Sequence, residues 1–267
     1  MLSKTSRSLT YLNAMLYAVL GALLFLLPEK LAPVFAWKVT SFMTMTIGGW
    51  CLGNAWLAWF VARRWQWSLV YPALYYLWLF GILELGVLYL FRDKLKLEHA
   101  IAWLYFITLI VNGIYAVVGV YEIFQTRATR QPSESATNAL QYAGLIFFVI
   151  FVGFLGVYGC TAKIGAPGTN GGIFPEVMSP FTLRSFGAFY LSLALAVIPL
   201  LRDRNLKTFL SHGFNSYGLI IFITAAALYY FRLFDLAAKP GGILYYGAYL
   251  GVALVFLANF RKYGTGA

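Results

Sequence analysis

Apolar runs of about twenty residues recur along the chain, separated by segments that contain charged residues, Pro or Gly. Eight such runs cover residues 9–27, 42–62, 69–91, 100–124, 139–159, 181–201, 209–231 and 241–260. A bilayer core about 30 Å thick needs about 20 mostly apolar residues per helix. The runs also lack the strict alternation that is typical of outer-membrane barrel strands. The pattern therefore predicts an all-α polytopic integral membrane protein with eight transmembrane helices.

Composition supports the membrane assignment and limits the partners. Hydrophobic residues make up 61% of the chain and charged residues 11%, against about 25% charged residues in an average soluble domain. The formal net charge of +11 is spread over loop ends on both faces, where anionic lipid head groups provide the counter-charge. We therefore expect membrane lipids as partners and no nucleic acid.

Orientation follows from the positive residues of the loops. Of the 20 Lys and Arg residues, eleven fall on the side that holds both termini and nine on the other side. Positive loops resist translocation. The count predicts a multi-pass protein of the cell (inner) membrane with both termini in the cytoplasm. The first apolar run is too long for a cleavable signal and has no small-residue cleavage site, so we expect it to be a span.

The chain contains a diverged internal repeat. The stretch "SPFTLRSFGAFYLSLAL" (179–195) matches "TSFMTMTIGGWCLGNAW" (40–56) at an offset of 139, which aligns Gly187 with Gly48. The offset is 140 between "LYLFR" (88–92) and "LYYFR" (228–232). This register predicts two four-helix repeats, 1–124 and 139–267, joined by a polar linker at 125–138. Because each repeat has an even number of spans, the repeats are expected to be parallel.

Each repeat has a short segment before its second helix, "FAWKVTSF" (35–42) or "FPEVMSPF" (174–181). Thr40 and Ser179 are predicted to cap the following helices, and Pro180 suits the first helical position. The aromatic residues are expected at head-group depth, although a loop that grips a ligand is the alternative. The Gly-rich stretch 163–176 lacks the strand and the Lys-Ser/Thr ending of a phosphate-binding loop.

Two stretches resemble known bacterial membrane proteins. "SPFTLRSFGAFYLSLAL", with Arg184 three residues before Gly187, is similar to the second-helix signature of a diffuse group of uncharacterised bacterial four-helix membrane domains, some of them duplicated. "ILELGVLYLF" (82–91) resembles the Glu-bearing helix of DoxX-like proteins, some of which are membrane subunits linked to quinone redox chemistry. The first repeat departs from the signature, with Met45 in place of Arg184. The resemblance implies a fold and carries over no catalytic residue.

Three polar residues inside predicted spans form a candidate intramembrane polar site. Glu84 is the carboxylate well inside a span, about 10 Å from the helix end at about 1.5 Å per residue. Asn54 and Asn112 lie roughly 16–18 Å from the same face by that rise. In the second repeat the corresponding positions of Glu84 and Asn54 hold Thr224 and Leu193. The asymmetry suggests that one repeat binds and the other supports.

The candidate site has three interpretations. In the structural one, Glu84 is neutral, forms an ion pair with Arg184 or meets a backbone or hydroxyl donor, while the Asn side chains join helices by hydrogen bonds. In the second, Glu84 has a proton or cation role, as intramembrane ionisable residues often do. In the third, the residues form a lipid or quinone site.

The remaining chemistry-bearing residues indicate no metal, cofactor or catalytic site. His99 and His212 fall at predicted helix ends and are expected to be solvated, without a second histidine for haem ligation. Cys51 and Cys160 stand alone, without a CxxC pair. No nucleophile elbow surrounds any Ser. We therefore expect a protein without enzyme activity of its own.

Three function classes remain. The first is a non-catalytic subunit or scaffold of a larger membrane complex, with other integral membrane subunits as partners. The second is a carrier of a small or lipophilic solute, with proton coupling through Glu84 as one form. The third is a quinone-linked or lipid-linked membrane enzyme subunit, for which the chain supplies few titratable residues.

The topology yields a first prediction. A reporter fused after Ala267 should remain cytoplasmic, because the positive loops lie on the side of the termini. A cysteine placed at Thr169 should be labelled by a membrane-impermeant reagent from outside the cell. The reverse labelling pattern would contradict the orientation.

Overall fold

The structure is a computed structural model and describes residues 2–126, 135–163, 165 and 175–266. These ranges form helices and loops without a strand, which confirms the all-α class. The helices are α1 (Lys4–Leu26), α2 (Pro28–Leu31), α3 (Ser41–Arg63), α4 (Trp67–Leu90), α5 (Ala100–Thr126), α6 (Ala139–Thr161), α7 (Pro180–Asp203), α8 (Leu206–Tyr229) and α9 (Gly241–Tyr263). Short 3-10 helices lie at Ala32–Val34, Arg92–Lys94 and Phe231–Leu233.

Seven helices in the described ranges, α1 and α4 to α9, are long and apolar enough to cross a membrane. Helix α3, at 23 residues, has the length but is not apolar enough to count among them. Polar residues such as Thr44, Thr46 and Asn54 lower its hydropathy. Helix α3 tolerates them because their side chains are buried inside the protein. The structure therefore supports a multi-pass membrane protein with seven candidate spans, where the sequence predicts eight.

The helix starts follow local capping rules. The hydroxyl oxygens of Thr40 and Ser179 accept hydrogen bonds from the backbone N–H of Met43 and Thr182. Pro180 occupies the first turn of α7, where the missing N–H removes no helical hydrogen bond. The predicted caps of α3 and α7 are confirmed.

Helices α3 and α7 take corresponding places among their neighbours. Helix α1 packs along α3 as α6 packs along α7, while α3 contacts α8 and α7 contacts α4. Helix α5 packs on α1 and α4, and α9 packs on α8. Between α3 and α7, Trp50 stacks on Phe189 with ring centroids 4.7 Å apart and an interplanar angle of 6°. Aromatic stacking thus fills the interior where the two helices meet.

Two glycines that correspond in the sequence lie at close contacts between helix backbones. A Cβ added at Gly48 would lie 2.6 Å from the backbone nitrogen of Phe25 on α1. A Cβ added at Gly187 would lie 2.5 Å from the backbone nitrogen of Cys160 on α6. Small residues at such contacts let helix backbones approach directly in membrane proteins. Gly48 and Gly187, which lie 139 residues apart in the sequence, therefore both allow close approach of helix backbones.

A proline in α4 creates a hydrogen bond between α4 and α8. Pro72 has no N–H, so the carbonyl of Ser68 four residues earlier loses its usual helical donor. The Thr208 hydroxyl of α8 donates to that carbonyl at 2.6 Å. Thr208 is 1% exposed, so water does not reach this position. The Thr208 hydroxyl therefore supplies the donor that the Ser68 carbonyl would otherwise lack.

The predicted linker and loop fall partly outside the described residues. Helix α5 continues to Thr126, two residues beyond the end predicted for its span. Residues 127–134 of the linker and Thr169 in the Gly-rich stretch lie outside the described ranges. The last part of the linker is held near α8, because the Thr137 N–H donates to the Arg204 carbonyl at 2.8 Å.

The glycine contacts yield a second prediction. Gly48→Ala and Gly187→Ala should each destabilise the protein by about 1–3 kcal/mol, the usual cost of overpacking. Gly144→Ala on α6 is the control, because its added Cβ meets nothing within 4 Å and Ala favours a helix over Gly by about 1 kcal/mol. Thermal unfolding in detergent measures the three variants. Equal melting temperatures for all of them would contradict the close approach.

Candidate functional site

Glu84 connects three helices inside the protein. It lies on α4 and is 0% exposed. Its Oε1 accepts a hydrogen bond from the Tyr105 hydroxyl of α5 at 2.8 Å and from the Ser185 hydroxyl of α7 at 2.7 Å. Its Oε2 has no hydrogen-bond partner in the described part of the chain. One carboxylate oxygen therefore accepts hydrogen bonds from two neighbouring helices, and the other accepts none from the described residues.

The two asparagines also bond to neighbouring helices. Asn54 on α3 accepts from the Tyr76 hydroxyl of α4 at 2.7 Å, while its Nδ2 has no partner among the described residues. Asn112 on α5 donates to the Tyr17 hydroxyl of α1 at 2.8 Å and to the Leu77 carbonyl of α4 at 3.1 Å. Both asparagines are 0% exposed, so these bonds replace water in the interior.

The three predicted polar residues share α4 but do not bond to one another. Glu84 lies on α4, and Asn54 and Asn112 reach it through Tyr76 and Leu77. No hydrogen bond joins any two of Glu84, Asn54 and Asn112 in the described structure. The three residues therefore take part in a series of helix contacts along α4.

Arg184 has partners other than Glu84. Its Nη1 donates to the carbonyls of Gly159 at 2.7 Å and Ala162 at 2.9 Å, at the end of α6. The guanidinium does not contact the Glu84 carboxylate, so the ion pair that the sequence suggests between Arg184 and Glu84 is not formed. The physical reason is that carbonyls at a helix C-terminus lack intrahelical donors and carry partial negative charge, which a cation satisfies.

The segment before α3 covers the Glu84 contacts. Phe35 and Trp37 are 0% and 2% exposed, so both side chains are enclosed by protein. The Trp37 ring stacks on Phe181 at 4.2 Å, and its Nε1 donates to the Thr182 hydroxyl at 3.1 Å. Both aromatic rings also pack against Tyr105, with centroids 5.2 Å and 5.3 Å away. The segment therefore closes one side of the site.

The hydroxyl partners are the functional residues that sequence reasoning missed. Tyr105, Ser185, Tyr76 and Tyr17 each contact one of the predicted polar residues. Tyrosine and serine are common in this chain, so residue type alone did not separate them. Tyr105 and Tyr245 correspond at the sequence offset of 140, but this correspondence alone does not indicate a contact with Glu84.

The histidines and cysteines occupy separate positions. His99 is exposed before α5, as expected. His212 is 8% exposed, which corrects the expectation of a solvated cap, because α8 begins at Leu206 and places His212 well inside the helix. Cys51 is buried and Cys160 half-buried, and both are free thiols. Among the described residues, no three His, Cys, Asp or Glu side chains gather as metal ligands would.

Comparison with known proteins adds no assignment to this geometry. The chain matches no protein-family model, no curated protein and no solved structure. The resemblance to four-helix bacterial membrane domains therefore stays a prediction, and the site is interpreted from its own contacts.

The Glu84 contacts yield a third prediction. Glu84→Leu removes the acceptor and leaves the Tyr105 and Ser185 hydroxyls without a partner, at a cost of about 1–3 kcal/mol for each unsatisfied group. Glu84→Gln keeps a carbonyl oxygen for both donors and should cost less. Thermal unfolding in detergent compares the two variants.

A matched background separates these hydroxyls from general packing effects. In the double variant Tyr105→Phe/Ser185→Ala the donors are gone, so adding Glu84→Leu should cost less than it does in the wild type. An equal loss in both backgrounds, or equal losses for Glu84→Gln and Glu84→Leu, would show that the hydrogen bonds do not stabilise the fold.

Proposed function

We propose that this protein is a non-catalytic integral membrane subunit that acts as a scaffold in a larger membrane complex. The main support is that Glu84, Asn54 and Asn112 each form a hydrogen bond to a neighbouring helix. Polar residues used in this way stabilise helix association in membranes. A protein whose intramembrane polar groups hold helices together is suited to presenting a fixed surface to partners.

The proposed architecture is eight spanning helices in two parallel four-helix repeats, in the inner membrane with both termini cytoplasmic. Helix α3 would be the eighth span, enclosed by protein on most of its surface. Support comes from the paired contacts, in which α1 with α3 and α3 with α8 correspond to α6 with α7 and α7 with α4. The corresponding glycine contacts at Gly48 and Gly187 add to it.

The proposed partner surface lies on α6 and α9. Of the seven candidate spans, α9 and α6 bury the smallest shares of their most apolar windows, 11% and 22%. Large apolar side chains on them stand free, such as Phe154 at 65% and Leu254 at 67% exposed. Lipid covers such faces in any membrane protein. The exposed apolar area on α6 and α9 is large enough for other integral membrane subunits to dock there.

A carrier is the second candidate function, favoured by unused polar atoms. Oε2 of Glu84 and Nδ2 of Asn54 are buried without partners in the described part of the chain. Buried polar atoms without partners are costly, and a transient ligand or proton would relieve that cost. Against this function, Glu84, Asn54 and Asn112 are each 0% exposed.

The scaffold proposal is tested by photo-crosslinking in the native membrane. A photoreactive amino acid at Phe154 or Leu254 should give a discrete adduct with one integral membrane protein, which also co-purifies in mild detergent at fixed stoichiometry. The same amino acid at Ile114 on α5, which is 54% exposed, is the control and should give only lipid adducts. Purification as a monomer with lipid adducts at all three positions would contradict the scaffold.

The carrier alternative is tested on the same preparations. Proton-coupled uptake into liposomes is measured for the wild type and for Glu84→Gln. Uptake by the wild type that is lost in Glu84→Gln, with an unchanged melting temperature, would replace the scaffold by a carrier.

A further inference from the structure

A charged cleft opens at one end of the helices, away from Glu84. Its volume is about 870 Å³, within the range of about 300–1,000 Å³ that small-molecule sites occupy. We name it the Glu29–Glu176 cleft, after two of its lining residues. The polar residues that line it and enter the argument are Glu29, Lys38, Thr40, Lys96, Glu176 and Tyr230. They come from five separate helix ends, which the fold brings together around one opening.

Hydroxyl groups fix the two carboxylates of the cleft. Glu29 accepts from the Ser41 hydroxyl at 2.5 Å and from the Tyr230 hydroxyl at 2.7 Å. These hydrogen bonds lower the pKa of Glu29, with the Ser41 bond as the larger cause, so this carboxylate is ionised at neutral pH. Glu176 accepts a hydrogen bond from the Thr40 hydroxyl. Burial raises the pKa of Glu176, although the hydrogen bond from Thr40 partly opposes this effect. Two carboxyl groups therefore have fixed positions on the wall, and Glu29 is the more acidic of the two.

Two ammonium groups line the same cleft without partners in the described structure. Lys38 and Lys96 are exposed, and neither side chain has an ion pair or hydrogen bond to another described residue. The Lys96 N–H donates to the carbonyl of Ala36 at 2.7 Å, which holds Lys96 beside the segment that carries Lys38. The cleft therefore presents cations and anions that do not neutralise each other through direct contacts.

We propose that the Glu29–Glu176 cleft binds a zwitterion that combines a phosphate with a primary ammonium group, as in the head group of an aminophospholipid. Lysine ammonium groups bind phosphate as charge-assisted donors. A primary ammonium has three donors for the oxygens of Glu29 and Glu176, whereas a quaternary ammonium has none. The apolar lining residues Pro33, Val39 and Leu233 would accommodate the glycerol region of a lipid.

The membrane setting favours the lipid over a free zwitterion. The cleft is lined by residues at helix ends, next to α2 and the 3-10 helices at Ala32–Val34 and Phe231–Leu233. Helix ends of a membrane protein lie at head-group depth. A lipid there needs no diffusion from water into the cleft. This inference does not depend on the proposed scaffold function, because no residue of the Glu84 contacts takes part.

The test measures lipid binding to the purified full-length chain. Short-chain phosphatidylethanolamine, phosphatidylcholine and phosphatidylglycerol are titrated separately in detergent, with the melting temperature and native mass spectrometry as readouts. Soluble phosphoethanolamine is titrated in parallel. Phosphatidylethanolamine is expected to bind more tightly than the other two lipids. Equal binding of phosphatidylcholine would overturn the role of the ammonium donors, and equal binding of phosphatidylglycerol would overturn the role of the carboxylates.

The variants locate the binding in this cleft. Lys38→Gln/Lys96→Gln and Glu29→Gln should each weaken phosphatidylethanolamine binding by about tenfold or more, the usual loss for a charged hydrogen-bonded pair. Lys94→Gln is the control, because Lys94 is exposed and does not line the cleft. Unchanged affinity in the lysine double variant would overturn the site, since both side chains are exposed and their loss should leave the fold intact.

The soluble ligand distinguishes a phospholipid head group from a free zwitterion as the occupant of the cleft. Phosphoethanolamine that competes with the lipid, but binds at least about tenfold more weakly, supports head-group recognition in a lipid. Phosphoethanolamine that binds as tightly as the lipid would overturn the lipid source. The scaffold test uses photo-crosslinking at Phe154 and Leu254, neither of which lines the cleft, so its failure and the failure of lipid binding are distinguishable.

Discussion

Polar groups inside a bilayer must find their hydrogen-bond partners within the protein, because the hydrocarbon core offers no water. This constraint explains the contacts that organise the helices. The Glu84 carboxylate draws hydroxyls from α5 and α7, and the carbonyl freed by Pro72 draws the Thr208 hydroxyl from α8. Hydrophobic burial offers little specificity between apolar helices in lipid. The few polar groups therefore help to determine which helices become neighbours, and α4 shares such bonds with α3, α5, α7 and α8.

Steric fit complements the polar contacts. Gly48 and Gly187 remove the side chains that would separate α3 from α1 and α7 from α6, so backbone packs directly on backbone. Dispersion contacts depend steeply on distance, so direct backbone contact strengthens the attraction within each pair of helices. The stacked rings of Trp50 and Phe189 then fill the space between α3 and α7. The fold combines two tight helix pairs with a centre of aromatic side chains.

Sequence reasoning succeeded where the cause is local and failed where it depends on helix rotation. Thr40 and Ser179 could be predicted as caps because a cap is decided by three or four consecutive residues. Arg184 could be placed near Glu84 in depth by counting residues, but its direction around α7 could not, and it bonds to the end of α6. His212 was misjudged because apolar runs locate helix starts only to within a few residues. The polar residues of α3 are explained by the neighbouring helices that bury them.

The bond from Ser185 to Glu84 has a consequence for the history of the chain under the proposed duplication. An ancestral half would have paired with a second copy of itself, each supplying the same residues to the other. In the present chain the carboxylate belongs to one half, and its counterpart Thr224 has no hydrogen-bond partner for its hydroxyl among the described residues. Glu84 of the first half accepts from Tyr105 of its own half and from Ser185 of the second half. Divergence of this kind makes the halves interdependent, since the contact between Glu84 and Ser185 has no counterpart in the opposite direction, where Thr224 supplies no carboxylate.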